Sequence, residues 1–221
     1  MTPCKYGFAD LHIHTRFSDG IAELSEVLEH VQLHTNLDVI AITDHDSFRG
    51  AWLARELAAK DDYRFQVVPG MEVSTMEGHL LVLFLENPVS SYESLRHTIE
   101  ATHAQGGICV VPHPMSRQRD SIDRKTIEGL LASGDENVHL DGLEILDPHA
   151  ARIMCLEDVE ALNRECYHLA ELGNSDGHAL SVIASRYTVF CGRTIQDLRE
   201  SIRSRRTRGW TGPFTGFAND L

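Results

Sequence analysis

Short apolar segments alternate with amphipathic segments along most of the chain, and this alternation restricts the fold more than any other feature of the sequence. Strand-like runs are FADLHIH, LDVIAIT, RFQVVPG, HLLVLFL, ICVVPHP, DGLEIL, LGNSDGH and RYTVFCG. Helical patterns separate most of them; for example, Leu24, Val27, Leu28 and Val31 recur at the spacing of a helix buried on one side. Such alternation predicts parallel strands covered by helices.

Further helices are expected around residues 51–59, 91–105 and 123–132, in IQDLRESIRS, and in a long helix with Val159, Leu162, Cys166 and Leu169 on one face. About seven or eight strands in a single domain over residues 1–221 favour a closed or nearly closed α/β barrel. An open doubly wound sheet is the alternative. With 42% hydrophobic residues, the chain can bury a full core.

Charge and cysteine content limit the partners and the compartment. The net charge of −13 argues against long nucleic acid as the main partner. The amino-terminal sequence lacks the pattern of a signal peptide and no stretch has membrane-spanning length, so we expect a soluble protein without a membrane partner. Five cysteines without a CxxC pair indicate a reducing, cytoplasmic location, with Cys109 and Cys191 expected as buried thiols in apolar runs.

Polar residues with metal-ligating side chains end or follow nearly every predicted strand. They are His12, His14, Asp19, Asp44, His45, Glu72, His113, Glu144, Asp176 and His178. His79 differs because it opens its strand. Residues i and i+2 of a strand share a face, so His12 and His14 can bind one object, with Leu11 and Ile13 on the other side. Since functional groups gather at the carboxyl ends of parallel strands, these side chains are expected to converge. Imidazole with carboxylate is a ligand set for zinc, iron or manganese.

The other histidines are expected to have surface or packing roles. His30, His34, His97, His103 and His168 lie in predicted helices, and His139 lies in a polar loop. His149 stays open between a functional and a structural role.

Six motifs in this order, DLHIHTRFSDG, ITDHD, PGMEVST, GHLLVLFL, VVPHP and NSDGH, resemble the polymerase and histidinol phosphatase (PHP) superfamily of metal-dependent phosphoesterases. The resemblance covers essentially the whole chain and implies a distorted seven-stranded (β/α) TIM-like barrel. Many members insert a domain between the motifs that hold His79 and His113. Only about thirty residues separate those two positions here, so we expect the inserted lid to be absent.

The resemblance also implies two or three divalent metal ions, which could be zinc, manganese or iron. By position, one ion takes His12, His14, Glu72 and Asp176, a second shares Glu72 and takes His79 and His113, and a third takes Asp19, His45 and His178. Bridging by Glu72 is reasonable because a carboxylate can offer one oxygen to each of two cations. For Glu144, a structural and a functional role remain equally open.

The implied reaction is hydrolysis of a phosphate ester of a small molecule, a nucleotide or a short oligonucleotide by metal-activated water. His45 or His178 is the candidate proton donor to the leaving alkoxide. Asp44, counted with the catalytic residues, is expected to orient an imidazole. Arg117 and Arg119 either clamp phosphate oxygens or belong to a solvated loop.

Two other functions remain open. Metal-dependent amidohydrolases also begin with HxH, but they use a carboxylated lysine at the end of a strand. None of the three lysines, Lys5, Lys60 and Lys125, ends a predicted strand. The second alternative is a metal-stabilised PHP module without catalytic activity.

Overall fold

The computed structural model describes residues 5–117, 120–145 and 158–212, which form nine strands and their surrounding helices. The strands are β1 (Tyr6–Asp10), β2 (Val39–Ile42), β3 (Gln66–Thr75), β4 (Gly78–Leu83), β5 (Ile108–Val111), β6 (Gly142–Glu144), β7 (Ala170–Leu172), β8 (Arg186–Cys191) and β9 (Thr207–Thr211). The helices are α1 (Leu24–His34), α2 (Arg49–Lys60), α3 (Leu95–Ala104), α4 (Arg124–Ala132), α5 (Val159–Leu162), which continues into a π-helix (Asn163–Tyr167), and α6 (Ile195–Arg203).

All nine described strands belong to one barrel-shaped sheet in the order β7-β6-β5-β4-β3-β2-β1-β8-β9. Parallel ladders join β1 to β2, β2 to β3, β5 to β6 and β6 to β7. This confirms the predicted TIM-like α/β barrel, although the described sheet has nine strands rather than seven. Strand β4 runs antiparallel to both neighbours, because only two residues join it to β3 and a parallel pair needs a long crossover. Strand β8 also runs antiparallel to both of its neighbours, β1 and β9, and helix α6 connects β8 to β9.

The barrel closes directly at its carboxyl end, where the chain after β1 meets the chain after β7. His14 N donates to Gly177 O (3.1 Å), and Gly177 N donates to His12 O (3.0 Å). Towards the amino end, β8 and β9 fill the gap between β1 and β7. At that seam a Cβ on Gly173 would lie 2.5 Å from Tyr187 O and 2.8 Å from Gly209 Cα, so only glycine allows the close approach.

Three buried apolar clusters hold the layers together. One lies between α1, α2 and the first strands, and a second lies between α3, α4 and the middle strands. The third takes alternate residues from most strands together with Leu198 and Ile202 of α6, so α6 closes one end of the barrel interior. Leu11 belongs to this interior cluster and Ile13 to the α1–α2 cluster, so their predicted common face is wrong: the regular strand ends at Asp10.

Two other local predictions are wrong. The long helix predicted through Leu169 is replaced by α5 and the π-helix, which ends where His168 takes a positive φ of 54°. Cys109 is a buried free thiol as predicted, but the prediction for Cys191 is wrong: it is exposed as the last residue of β8, and it is disulfide-bonded rather than a free thiol. Arg119 and His149 lie outside the described residues. No helix in the described ranges is both long and apolar enough to cross a bilayer.

Candidate metal centre

The carboxyl-end rim of the barrel brings together the metal-ligating side chains that the sequence predicted there. His12 and His14 follow β1, and the backbone of His45, after β2, pairs with that of Glu72 in β3. His79 joins them although it is near the start of its strand. Since β4 runs antiparallel to β3, its first residues lie at the rim where the parallel strands end.

Glu72 is the centre of the group, and its buried carboxylate faces imidazoles on both oxygens. Oε2 lies 3.0 Å from His12 Nε2 and 3.3 Å from His14 Nε2. Oε1 lies 3.0 Å from His79 Nδ1 and 3.3 Å from His113 Nε2. Oε2 also lies 3.2 Å from His45 Nδ1. One carboxylate therefore faces His12, His14 and His45 with one oxygen and His79 and His113 with the other, as the proposed bridging role requires.

Asp176 completes the donor group around His12 and His14. Its Oδ1 lies 3.4 Å from His12 Nε2 and 3.3 Å from His14 Nε2. Together with Glu72 Oε2, these atoms form a compact set of two nitrogens and two oxygens. This is the set that the sequence assigned to the first ion.

Asp19, His45 and His178 form a second group beside the first. Asp19 Oδ2 lies 3.1 Å from His178 Nε2 and 3.6 Å from His45 Nε2. His14 belongs to both groups: its Nδ1 lies 3.5 Å from Asp19 Oδ1, and its ring stacks on His178 with centroids 4.2 Å apart. The side chains of His178 and Asp19 are 39% and 54% exposed, so this side of the centre is open to solvent.

The buried nitrogens at this centre fit bound cations. Within the described ranges, three buried ring nitrogens of the centre have no partner that meets hydrogen-bond geometry. They are Nδ1 and Nε2 of His14 and Nδ1 of His113. Leaving a buried polar atom unsatisfied costs about 1–3 kcal/mol, so a cation bound at one ring nitrogen of His14 would remove part of this penalty. Imidazole and carboxylate donors suit zinc, manganese or iron.

Without a cation, the charges at the centre depend on one another. Burial raises the pKa of Glu72, but the neighbouring histidines outweigh it and hold the value well below the usual range. Burial lowers the pKa of His12, but the charges of Glu72, Asp176 and Glu144 raise it well above the usual range. Burial also opposes ionisation of Asp176, whose pKa is nevertheless lowered by His12 and His14. The carboxyl groups of the centre are therefore ionised and need positive charge beside them. Protons on the histidines or metal ions can supply that charge.

Two of the candidate ligands have strained backbones. Asp176 has a φ of 51° and His113 a φ of 30°, in a region that residues with a Cβ rarely adopt. Strain of this kind persists where the surrounding structure fixes it, and it concentrates at functional sites.

Glu144 supports His12 and His113 from behind. Its Oε1 accepts hydrogen bonds from His12 Nδ1 (2.9 Å) and Asn174 Nδ2 (2.9 Å), and its Oε2 accepts from His113 N (2.8 Å). A carboxylate on Nδ1 fixes the proton there and leaves Nε2 free to bind a cation. The geometry therefore gives Glu144, whose role the sequence left open, a positioning role.

Two residues that the sequence analysis missed connect the ends of β1 and β7. Asn174 Oδ1 accepts from Leu11 N (2.9 Å), while Asp10 accepts from Ser175 N (3.0 Å) and Ala184 N (3.0 Å). Burial raises the pKa of Asp10 to about 6. Asp10 could have been found from the sequence, because it lies two residues before His12, at the same spacing that separates His12 from His14.

Asp44 and Arg117 are placed differently from the other candidates. Asp44 is buried and accepts from Thr15 N (2.7 Å), Thr15 Oγ1 (2.8 Å) and Ser18 Oγ (2.8 Å). It thus anchors the loop that leads to Asp19, and these bonds involve no imidazole. Arg117 is exposed on the loop after His113.

Comparisons with known proteins give a consistent family. The PHP domain family matches residues 10–183. An uncharacterized protein of Methanocaldococcus jannaschii is 30% identical over 152 residues, which cover 64% of this chain and 82% of that protein. The 5'-3' exoribonuclease Rnm of Salmonella typhimurium is 38% identical over 71 residues, 32% of this chain and only 24% of the enzyme.

A two-domain protein from Bacteroides vulgatus, described as containing a predicted PHP-like metal-dependent phosphoesterase, has a similar structure. The TM-score is 0.72 at 20% identity, over 94% of this chain and 65% of that one. At this identity the likeness concerns the fold.

Proposed function

Because the chain belongs to the PHP domain family, we propose that it is a metal-dependent phosphoesterase that hydrolyses phosphate esters of a small molecule, a nucleotide or a short oligonucleotide. The observation that carries this proposal is the position of Glu72 among five imidazoles, with three at one carboxylate oxygen and two at the other. The described similarity to an exoribonuclease supports a nucleotide-containing substrate, although only a quarter of that enzyme is matched.

We assign the ligands as the sequence did. His12, His14, Glu72 and Asp176 would hold one cation, Glu72, His79 and His113 a second, and Asp19, His45 and His178 a third. Bound there, zinc, manganese or iron would supply a hydroxide near neutral pH and neutralise charge on the phosphoryl oxygens.

The protein's own residues would orient these ligands and transfer a proton. Glu144 and the backbone carbonyl of Asp176 accept from Nδ1 of His12 and of His178 (2.9 and 3.0 Å), so both rings would present Nε2 to the centre. His178 and His45 are the most exposed imidazoles of the group, with side chains 39% and 26% exposed, which supports a role on the solvent side of the centre. We propose that whichever of the two is not bound to a cation donates its proton to the leaving alkoxide.

The loop after His113 would contact the substrate phosphate through Arg117 and Arg119. This loop lies against the site, since Asp120 O accepts from His79 N (2.7 Å) and Ser121 Oγ donates to His113 O (2.8 Å). A guanidinium there would match the geometry of phosphate oxygens. The structure describes Arg117, and the assignment of Arg119 remains a sequence-based proposal.

The lysines give no support to amide hydrolysis. Lys5 precedes β1, Lys60 ends α2 and Lys125 lies in α4, so none lies at the carboxyl-end rim.

The test is the Glu72→Gln variant, assayed after metal removal and reloading with zinc, manganese or iron. The substrates are p-nitrophenyl phosphate, bis-p-nitrophenyl phosphate, a 5'-phosphorylated dinucleotide and a panel of amides. We expect phosphate-ester turnover that falls at least about 100-fold, together with lower metal content, because the bridging oxygen is lost. Glu171→Gln, which makes the same chemical change on strand β7, is the matched control.

Full activity in Glu72→Gln would refute the proposal, and turnover of amides alone would favour the amidohydrolase alternative. Metal-dependent stabilisation without cleavage of any ester would instead identify a non-catalytic PHP module.

A further inference from the structure

A second cluster of metal-ligating side chains lies at the other end of the barrel. His103 is the penultimate residue of α3, Cys109 is the second residue of β5, and Asp141 directly precedes β6. One ligand atom from each of these residues lies within 4.8 Å of the others. Asp141 is three residues before Glu144, so the cluster is about 10 Å along the strand from the rim centre.

Two histidines face the carboxylate of Asp141. His103 Nε2 lies 3.0 Å from Asp141 Oδ2, and His139 Nε2 lies 3.4 Å from Asp141 Oδ1. The carboxylate is itself fixed in place, because Oδ2 accepts from Cys109 N (2.8 Å).

The other ring nitrogens determine which protons the two imidazoles carry. His103 Nδ1 lies 3.2 Å from Asn137 O, and His139 Nδ1 lies 2.8 Å from Glu136 O. A backbone carbonyl can only accept, so each Nδ1 must carry the proton of its hydrogen bond. In the neutral rings, both Nε2 atoms then have lone pairs directed at a carboxylate, as in metal sites whose histidines are oriented by backbone carbonyls.

Lone pairs that face a carboxylate repel it unless positive charge lies between them. A proton between His103 Nε2 and Asp141 Oδ2, which are 3.0 Å apart, would meet this need at one ring only. Protons on both rings would place two imidazolium charges against each other, because the rings stack with centroids 4.2 Å apart. A divalent cation held by His103, Asp141 and Cys109, with His139 Nε2 beside the other carboxylate oxygen, would meet the need at both rings.

We propose that His103, Asp141 and Cys109, whose ligand atoms lie within 4.8 Å of one another, form a zinc-type metal site separate from the rim centre, with His139, beside the second oxygen of Asp141, as the fourth ligand. Two imidazoles, a carboxylate and a thiolate make a four-coordinate set that zinc accepts. The charges of Asp141 and the thiolate would balance those of the ion.

Positive charge nearby sets the expected affinity. Arg203 and Arg205 line the same cavity of about 380 Å³, and Arg203 also donates to Gly106 O (3.3 Å). These guanidinium groups oppose a bound cation, so the site binds zinc more weakly than the rim centre does. Its role is to fix α3 and the loop before β6 against the barrel.

The first test counts zinc ions on the full-length protein by equilibrium dialysis at fixed free zinc. We expect Glu72→Gln to lose zinc at the rim and to keep the additional ion, whereas His103→Ala/His139→Ala loses that ion and keeps those at the rim. His97→Ala, also on α3, is the matched control and keeps the wild-type count. His139→Ala alone removes a side chain that is 53% exposed, so it tests the site with little risk to folding. It should weaken the additional ion at least about tenfold.

The second test identifies the thiolate. Cobalt at the additional site should give a near-ultraviolet thiolate charge-transfer band that disappears in Cys109→Ser. Equal zinc counts in His103→Ala/His139→Ala and His97→Ala would overturn the site and leave an imidazolium–carboxylate pair. A cobalt complex without the band would overturn the four-ligand arrangement. Neither readout depends on phosphoesterase activity.

Discussion

Replacing Glu144 by glutamine tests whether this buried side chain positions the rim centre. The carboxylate accepts three hydrogen bonds, from His12 Nδ1, Asn174 Nδ2 and His113 N. Burial raises the pKa of Glu144, but the charge of His12 outweighs it and keeps the pKa below the usual value. Glu144 is therefore an ionised acceptor on both oxygens, and glutamine must present an NH₂ group to one set of donors.

The cost follows from the two ways in which the amide can lie. With its nitrogen at the Oε2 position it opposes one donor, His113 N–H, and at the Oε1 position it opposes two. The milder arrangement loses one buried hydrogen bond and lowers the free energy of unfolding by about 1–3 kcal/mol. Loss of the carboxylate behind His12 should also weaken metal binding about 10- to 100-fold, or roughly 1.4–2.7 kcal/mol.

The assay measures denaturant unfolding of the metal-free protein and metal dissociation constants by competition with a chelator. Glu171→Gln is the control because it makes the same chemical change on the adjacent strand, at a carboxyl whose pKa burial already raises. If Glu144→Gln unfolds and binds metal like the wild type, the positioning role is refuted. If stability alone falls, Glu144 supports the fold and not the ligands.

Three further outcomes are expected. Asp44→Asn should loosen the loop that leads to Asp19 and so weaken binding of the metal ion at Asp19 about tenfold, measured as metal stoichiometry. A loss of activity at full metal content would instead show that Asp44 has a direct catalytic role. Gly173→Ala should lower the free energy of unfolding by about 1–3 kcal/mol, because the added methyl group meets the close seam. Gly129→Ala should raise it by about 0.5–1 kcal/mol, because Gly129 lies in α4 with open space around it. Equal effects of the two substitutions would contradict the close seam. In the metal-free protein, the raised pKa of His12 contributes stability in full at pH values below 6.5, the ordinary pKa of histidine. This contribution is lost as the pH rises through the raised pKa. The melting temperature should therefore fall above pH 6.5 without metal and stay level with metal, and parallel curves would contradict this.

Much of the barrel could be predicted from the sequence because its evidence is local. Leu24, Val27, Leu28 and Val31 are all buried on α1, as their spacing predicted. The direction of β4 could not be predicted by the same reasoning, since an apolar run has the same pattern in a parallel or an antiparallel strand. The helix through Leu169 failed for a related reason: apolar spacing does not show where the chain must leave the helix to enter β7.

For the rim centre, the sequence supplied the chemical types and the ends of the strands at which they occur. His12 and Glu72 could be named because they follow or end apolar runs. The same reasoning assigned His103 and His139 to surface or packing roles, although their Nε2 atoms face one carboxylate. His103 lies in a helix and His139 in a loop, and no strand-end pattern marks either of them.

The sequence by itself therefore determined most of the strand and helix segments, the barrel class and the residue types at its rim, because these follow from local periodicity. Only the tertiary structure decided which oxygen of Glu72 faces which imidazole and that Glu144 supports His12 from behind. It also decided that Asp44 anchors a loop. Apart from Glu72 and His79, which are seven positions apart, these are contacts between residues 26 to 132 positions apart, and their geometry depends on how the barrel closes, which no short stretch of sequence encodes.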